Sequence, residues 1–199
     1  MDIKEEKSGI RKEIIRRRSS LSSKVLNEIE RSLPAFISGI EDDELQRRLG
    51  NAKRIALYRS FNGEVPVDGL ARDFMAKGIR CCFPRIENGS MSFFDCESLE
   101  DGEFVTSSIG IKEPAPGKPE ASGRSIDVVV LPAVAYNEEG ARLGMGGGYY
   151  DRYIGTMGPD RPYLLGICYE FQICSGIPVT AQDISADFIA VIPGEFYGE

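Results

Sequence analysis

The sequence predicts an α/β protein with three layers, α/β/α, in which helices cover both faces of a largely parallel sheet. The first reason is that segments with helical periodicity alternate with short apolar segments along most of the chain. The second is residues 126–131, which read I-D-V-V-V-L, because such a run is typical of a strand buried on both faces. The third is size, since 199 residues with 42% hydrophobic content suit a single domain with a substantial core.

The first quarter of the chain is predicted to be helical. Apolar side chains at helical spacing indicate a first helix over residues 3–21. A second helix is expected from a serine cap to about residue 38, with Pro34 bending or ending it. A third, short helix over residues 41–49 is expected to end at Gly50.

An α/β core is expected over about residues 53–192, after a helical segment over about residues 3–50, within one domain of residues 1–199. In chain order, the predicted elements of the core are a strand at 53–58, a helix at 67–77, strands at 79–85, 91–94 and 126–131, a helix beginning over 149–154, and strands at 163–168 and 188–192. Residues 115–123 are rich in proline and glycine and are expected to form a loop over the site, with an internal linker as the alternative.

Composition excludes several kinds of function. The formal net charge of −7 argues against general nucleic-acid binding, and no apolar run approaches the roughly 18 residues of a membrane-spanning helix. The absence of histidine removes the usual general base and the commonest zinc ligand. The five cysteines are odd in number and include no C-x-x-C pair, so we expect free thiols in a reducing cytoplasm. We therefore expect small-molecule substrates and neither nucleic acid nor membrane as a partner.

Residues 140–153, which read G-A-R-L-G-M-G-G-G-Y-Y-D-R-Y, are the most informative stretch of the chain. Four glycines within five positions indicate backbone with positive φ or the close approach of another group, and successive N–H groups in such a turn can hold an anion. A helix that starts at Tyr149 would direct the N–H groups of its first turn to the same place. A strand, this loop and a helix N-terminus would form the phosphate-binding arrangement of α/β proteins. A glycine-rich surface turn is the alternative.

Charged side chains surround this loop in the sequence. Arg142 and Arg152 carry guanidinium groups suited to phosphate oxygens. Asp151 offers a carboxylate of the kind that Mg²⁺ binds when it also holds substrate phosphates. On the first predicted helix, Lys7 and Arg11 share a face because they are four residues apart. From spacing alone, a solvated basic face is the alternative for this pair.

The motif R-L-G-M-G-G-G-Y-Y-D-R resembles the R-L-G-x-G-x-G-Y-Y-D signature of the 5-formyltetrahydrofolate cyclo-ligase family. The resemblance extends from about Lys7 to Ile192. Its other matching positions are Lys7, Ile10, Arg11, Arg18, Leu21 and Ser22 at the start, E-V-P-V from Glu64, the Pro84-Arg85 pair, G-I-K-E-P at residues 110–114, and Pro178 and Asp183 near the end. Gln182 stands where the family has a histidine.

This resemblance implies a three-layer α/β/α fold and an enzyme that uses ATP and Mg²⁺. The implied reaction converts 5-formyltetrahydrofolate to 5,10-methenyltetrahydrofolate with release of ADP and phosphate. In it, γ-phosphoryl transfer turns the formyl oxygen into a leaving group, and N10 of the folate then closes the ring. A monomer or a weak homodimer is expected. Two other classes stay open: a non-catalytic nucleotide- or folate-binding protein on the same fold, and an unrelated phosphotransferase with the same loop.

The resemblance also assigns residues to the site. The implied ATP-binding residues are Lys7, Arg11, Arg142, Leu143, Gly144, Met145, Gly146, Gly147, Gly148, Tyr149, Tyr150 and Arg152. The implied substrate-binding residues are Arg59, Glu64, Met145, Gly148 and Tyr149, and among them Glu64 would accept hydrogen bonds from the pterin ring. The implied catalytic residues are Lys7, Arg142 and Arg152, and the implied metal ligands are Asp151 and Asp183. From the residues alone, a helix cap is the alternative for Glu64 and a loop carboxylate the alternative for Asp183.

Overall fold

The computed structural model describes residues 3–178 and 183–198, so Gln182 lies outside the described residues. Five α-helices are described: α1 (Ile3–Ser20), α2 (Ser23–Ser38), α3 (Asp43–Asn51), α4 (Asp68–Ala76) and α5 (Tyr149–Gly155). The described strands are β1 (Arg54–Ala56), β2 (Arg80–Glu87), β3 (Ser90–Cys96), β4 (Phe104–Thr106), β5 (Lys112–Pro114), β6 (Glu120–Ala121), β7 (Val128–Leu131), β8 (Ala135–Tyr136), β9 (Arg142–Leu143), β10 (Tyr163–Tyr169) and β11 (Phe188–Ile192). Short 3₁₀ helices occur at Gly123–Ser125, Gly158–Asp160, Glu170–Gln172 and Gly194–Phe196.

A seven-stranded sheet with the order β11-β10-β7-β1-β2-β3-β6 forms the centre of the molecule. The first five strands in that order are parallel, and β3 and β6 add antiparallel strands at one edge. Ile55 of β1 pairs with Cys81 of β2 on one side and with Val128 of β7 on the other. Chain order runs outward from β1 to β2 in one direction and from β7 to β10 and β11 in the other. Crevices for ligands form at such reversals, beyond the carboxyl ends of the strands.

The two faces of the sheet are covered by different helices, which confirms the predicted three layers. Alternate residues of a strand point to opposite faces. Ile55 and Leu57 therefore join a core with buried side chains of α1 to α4, whereas Ala56 joins a second core with Ile154 of α5. All four residues of β7 are buried, which agrees with the expectation for the apolar run at 126–131. Within the described residues, no helix combines the length and the apolar character needed to cross a bilayer.

Several local predictions are wrong at their boundaries. Pro34 lies inside α2 and does not end it, and Gly50 lies inside α3. The expected loop at 115–123 contains β6, which pairs with β3 through Ala121 and Phe93. The strand β7 is not followed directly by the glycine loop, because the β8–β9 hairpin lies between them. The phosphate-binding arrangement of strand, loop and helix is thus built on the short strand β9.

The packing of α4 on α2 allows a test of the fold. A Cβ atom on Gly69 would lie 2.0 Å from the carbonyl oxygen of Glu30, whereas a Cβ on Gly50 would have no atom within 4 Å. We expect Gly69→Ala to lower the free energy of unfolding by about 1–3 kcal/mol or more, because the helices must move apart. We expect the control Gly50→Ala to raise it by up to about 1 kcal/mol, because alanine favours a helix. Urea denaturation measures both, and equal stability of the two variants would contradict this close approach.

Candidate active site

The turn after β1 brings Glu64 to the carboxyl end of the sheet. Asn62 and Gly63 have φ values of 54° and 74°, and the N–H of Glu64 donates to the carbonyl of Phe61 over 3.1 Å. A Cβ on Gly63 would lie 2.4 Å from the carbonyl oxygen of Arg18, so both the positive φ and the contact with α1 require glycine here. The turn therefore has one conformation, which fixes where the Glu64 side chain emerges.

The carboxyl group of Glu64 is largely buried, with 16% of its side chain exposed. Its Oε2 accepts a hydrogen bond from the backbone N–H of Phe61 over 3.1 Å, and its Oε1 lies 3.7 Å from Nη2 of Arg18. Burial raises the pKa of Glu64, while the Arg18 guanidinium and the Phe61 N–H oppose that rise. A partly open carboxylate of this kind suits a ligand that presents N–H donors, as proposed from the sequence for the pterin ring.

Arg18 is a buried side chain of this crevice whose contacts the sequence did not reveal. Its side chain is 2% exposed, and its guanidinium donates to the carbonyls of Asn62 over 3.2 Å and Ala133 over 3.4 Å. These carbonyls belong to the loops after β1 and β7, so Arg18 contacts both sides of the crevice. The signal in the sequence was its position seven residues after Arg11, two turns along the same side of α1.

Two further cations of α1, Lys7 and Arg11, lie against the opposite part of the site. Lys7 Nζ pairs with Asp183 Oδ2 at 3.3 Å, and Nε of Arg11 donates to the carbonyl of Gly144 over 2.8 Å. Both side chains are partly buried, so the alternative of a solvated basic face does not describe them. Asp183 likewise is paired across the site rather than a simple loop carboxylate.

The glycine loop has the positive φ angles that its composition indicated. Gly146 and Gly148 have φ values of 103° and 62°, and α5 begins immediately afterwards at Tyr149. Gly147 is also restricted, because a Cβ there would lie 2.7 Å from the Tyr149 ring. Met145, by contrast, is 61% exposed. The loop is therefore a shaped turn that contacts α1 through Gly144 and continues into the short helix α5.

The two arginines beside the loop have different surroundings. Arg142, in β9, has 4% of its side chain exposed, and its Nη2 donates to Oδ1 of Asp151 over 2.7 Å. The backbone N–H of Ile184 donates to the same oxygen over 3.1 Å. Arg152 is exposed and its Nη1 donates to the Gly147 carbonyl over 2.8 Å. Arg142 thus lies inside the site wall, whereas Arg152 covers the loop from outside.

Asp151 lies next to the main chain that follows Asp183, because the N–H of Ile184 donates to Asp151 Oδ1 over 3.1 Å. No group of three or more histidine, cysteine, aspartate or glutamate side chains suited to a metal occurs among the described residues. Two carboxylates without a third are a fitting donor set for Mg²⁺, which usually takes one or two of them together with substrate phosphates and waters.

Tyr150 connects the two parts of the site. Burial raises the pKa of its hydroxyl, and the Glu64 carboxylate raises it further. The Arg142 guanidinium lies 5.9 Å from the Tyr150 ring centroid and acts in the opposite direction. Helix α1 also reaches both parts, because Arg11 contacts the Gly144 carbonyl over 2.8 Å and Arg18 lies 3.7 Å from the Glu64 carboxyl, so the predicted nucleotide and folate residues lie along one crevice.

The β4–β5 hairpin approaches the Glu64 turn from the other side. A Cβ on Gly110, at the hairpin tip, would lie 3.2 Å from the Phe61 ring, and the adjacent Ile109 is 64% exposed. Arg59 lies at the base of the hairpin, with Nη2 3.1 Å from Asp68 Oδ2 and its guanidinium 4.3 Å from the Phe104 ring centroid. Arg59 is therefore engaged with protein groups in this structure.

Comparison with known proteins identifies the family with this architecture. The model of the 5-formyltetrahydrofolate cyclo-ligase family matches residues 3–192. A 5-formyltetrahydrofolate cyclo-ligase of Mus musculus is 30% identical over 191 residues, covering 91% of each chain. A solved 5,10-methenyltetrahydrofolate synthetase of Mycoplasma pneumoniae is 27% identical with a TM-score of 0.68, covering 95% of this chain and 98% of that one. The corresponding structure from Aquifex aeolicus is 26% identical with a TM-score of 0.74, covering 93% of this chain and 89% of that one.

The ion pair of Arg142 and Asp151 is expected to matter for stability. Asp151→Ala would leave the guanidinium of Arg142 buried without its partner, so we expect a loss of about 3 kcal/mol in the free energy of unfolding. Glu13→Ala removes an exposed partner of Arg16 and is expected to cause no measurable change. Urea denaturation of both variants measures the contrast. An Asp151→Ala protein as stable as the Glu13→Ala protein would show that the buried pair contributes nothing.

Proposed function

Because this chain belongs to the 5-formyltetrahydrofolate cyclo-ligase family, we propose that the crevice between the glycine loop and the Glu64 turn binds ATP and 5-formyltetrahydrofolate side by side. The chain is an enzyme of folate one-carbon metabolism, an ATP-dependent ligase that converts 5-formyltetrahydrofolate to 5,10-methenyltetrahydrofolate. The observation that supports the proposed site is that α1 reaches both parts of it: Arg11 donates to the Gly144 carbonyl over 2.8 Å, and Arg18 lies 3.7 Å from the Glu64 carboxyl.

The ATP phosphates are proposed to lie against the glycine loop. In support, Gly146 and Gly148 adopt positive φ and give the loop the shape of an N–H concavity. Lys7 and Arg11 approach from α1, and Arg142 lines the wall. The full proposed set is Lys7, Arg11, Arg142, Leu143, Gly144, Met145, Gly146, Gly147, Gly148, Tyr149, Tyr150 and Arg152. Their cationic side chains and backbone N–H groups neutralise the charge of the transferring phosphoryl group.

The folate is proposed to bind at the Glu64 turn. The ionised carboxylate accepts hydrogen bonds from the N–H donors of the pterin ring, which are charge-assisted and therefore strong. Met145, Gly148 and Tyr149 would contact the folate from the glycine loop, where Met145 is exposed. Arg59 would take part from the side of the hairpin. The formyl group would then lie between the pterin site and the nucleotide site.

The chemistry needs positioning and charge neutralisation more than a general base, which suits a chain without histidine. The formyl oxygen attacks the γ-phosphorus and ADP leaves, so that the formyl carbon bears a phosphate leaving group. N10 then attacks this carbon, loses its proton and closes the ring, and phosphate departs. Arg142, Lys7 and Arg152 are proposed to stabilise the charge on the phosphoryl oxygens during transfer.

Mg²⁺ is proposed to bind at Asp151 and Asp183 together with the ATP phosphates. When bound, it would neutralise phosphate charge during phosphoryl transfer. Both carboxylates are ion-paired here, Asp151 to Arg142 and Asp183 to Lys7. Each carboxylate would therefore hold the metal beside a cationic side chain.

The cysteines favour a reducing compartment, and we propose the cytoplasm. All five are free thiols, and four of them are buried. Burial raises the pKa of Cys81 and of Cys168 to about 12, so these thiols stay protonated and unreactive.

The reaction provides the first test of this function. We expect the methenyl chromophore to appear only when purified protein, 5-formyltetrahydrofolate, Mg²⁺ and ATP are combined.

Glu64→Gln removes the charge that accepts the pterin donors, so we expect the KM for the folate to rise by about tenfold to a hundredfold while calorimetry shows unchanged ATP binding. The matched control is Glu138→Gln, at an exposed position of the β8–β9 hairpin. A chromophore that never appears with the unmodified protein would refute the activity, and an unchanged KM in Glu64→Gln would refute the role of Glu64.

The loop provides a second test, in which two glycines of the same loop are compared. Gly146 has a φ of 103°, whereas Gly144 has no positive φ and a Cβ there would lie an ordinary 3.4 Å from Arg142 Nη1. Gly146→Ala costs about 1–2 kcal/mol in its present conformation, so the loop is expected to relax and the Kd for ATP to rise by about five- to thirtyfold. Gly144 is proposed to contribute through its backbone, which alanine keeps, so Gly144→Ala is expected to bind ATP almost as the unmodified protein does. Calorimetric titration with ATP measures both, and equal affinities would contradict the proposed cradle.

A further inference from the structure

We infer that Arg18 is a positioning residue for the folate site, which orients Glu64 for the pterin ring without touching either substrate. The inference rests on the proposed role of Glu64. It concerns a side chain outside the ATP-binding, folate-binding and metal-binding sets proposed above.

The first argument is that Arg18 joins the two loops at the reversal of chain order in the sheet. Its guanidinium donates to the carbonyls of Asn62 over 3.2 Å and Phe61 over 3.5 Å, in the turn after β1. It also donates to the carbonyl of Ala133 over 3.4 Å, in the segment after β7. Gln172 lies in the segment after β10, and its Nε2 donates to that same carbonyl over 3.1 Å. One buried cation therefore sets the distance between the walls of the crevice.

The second argument is that the main chain of Arg18 also contacts the turn. Its carbonyl oxygen is so close to Gly63 that a Cβ there would lie 2.4 Å away. The turn is thus held against α1 by the backbone of Arg18 and by its side chain. Movement of Arg18 would move Asn62 and Gly63, and Glu64 with them.

The third argument concerns the charge that Glu64 experiences. Arg18 of α1 faces the carboxyl at 3.7 Å, and the Glu64 charge raises the pKa of Tyr58 after β1, Tyr136 of β8, Tyr150 of α5 and Tyr169 of β10. Burial raises the pKa of each of these tyrosines, so all four are neutral near pH 7. Arg18 is the cation that opposes the raised pKa of Glu64. At 3.7 Å the pair is too long for a hydrogen bond, so Arg18 supplies charge and leaves Oε1 able to accept from a ligand.

The direction of the pH effect follows from this arrangement. The pterin donors bind the ionised carboxylate, so folate affinity is full above the pKa of Glu64 and falls as the pH drops through it. Removal of Arg18 raises that pKa further. The loss of folate affinity then begins at a higher pH. The midpoint of this pH dependence is the pH at which half of the folate affinity is lost. A role of Arg18 in folding alone would not move this midpoint.

The experiment compares four proteins: the unmodified chain, Arg18→Met, Arg18→Lys and the control Arg16→Met. Arg16 is exposed and pairs with Glu13 on the outer side of α1. Calorimetry gives the Kd of 5-formyltetrahydrofolate over a series of pH values that spans the loss of folate affinity on acidification. ATP titrations and urea denaturation on the same proteins report the nucleotide site and the stability.

For Arg18→Met we expect at least about tenfold weaker folate binding at pH 7, a midpoint moved upward by about one pH unit, and an unchanged Kd for ATP. Lysine keeps the charge but carries its donors on one nitrogen, so it lacks the planar fork with which Arg18 reaches carbonyls of two separate loops. Arg18→Lys is therefore expected to keep the midpoint of the unmodified protein while its folate affinity falls by about three- to tenfold. Arg16→Met is expected to match the unmodified protein in every measurement.

A folded Arg18→Met protein with the original midpoint would overturn the inference. If that variant does not fold, Arg18→Lys decides, because folate binding equal to that of the unmodified protein would also overturn it. Failure of the proposed function is a separate outcome, in which the unmodified protein itself does not bind 5-formyltetrahydrofolate.

Discussion

The buried guanidinium of Arg18 is the interaction on which the arrangement of the site depends. An unpaired buried charge is costly, so a cation at this depth has to be surrounded by acceptors. Here the acceptors are carbonyls of the loops after β1 and β7 and, at longer range, the Glu64 carboxylate. Satisfying this one charge therefore requires both loops to take the positions that form the crevice. The sheet brings the two strands together, but the loops beyond them meet because they share Arg18.

Sequence patterns predicted the large elements of the fold because their signals are local. Helical spacing identified α1 and α2, and the apolar run before Pro132 identified β7. Strands such as β6, β8 and β9 have two residues each and carry no detectable periodicity, because their pairing partners lie elsewhere in the chain. Pro34 was expected to bend or end the second helix, and it does not end it. It lies within α2, where buried Leu33 and Ile37 keep the helix packed on the core.

The site was predictable where residue chemistry is local and unpredictable where it depends on distant contacts. Positive φ at Gly146 and Gly148 follows from glycine composition, and the run of glycines before Tyr149 indicated a shaped turn that leads into a helix. The burial of Arg142 beside Asp151 could not be read from a nine-residue spacing across a turn and a helix start. The contact of Arg18 with Ala133 joins residues 115 positions apart, so no local pattern reports it.

The contacts of α1 have a consequence for how the protein is made. Lys7 meets Asp183 across 176 positions, Arg11 meets Gly144 across 133, and Arg18 meets Ala133 across 115. Because synthesis proceeds from the N-terminal side, α1 leaves the ribosome well before these partners. Its basic side therefore meets Asp183 only after at least 176 further residues have been added. Formation of the site is expected late in folding, slowed by the loop-closure entropy of three very long-range contacts.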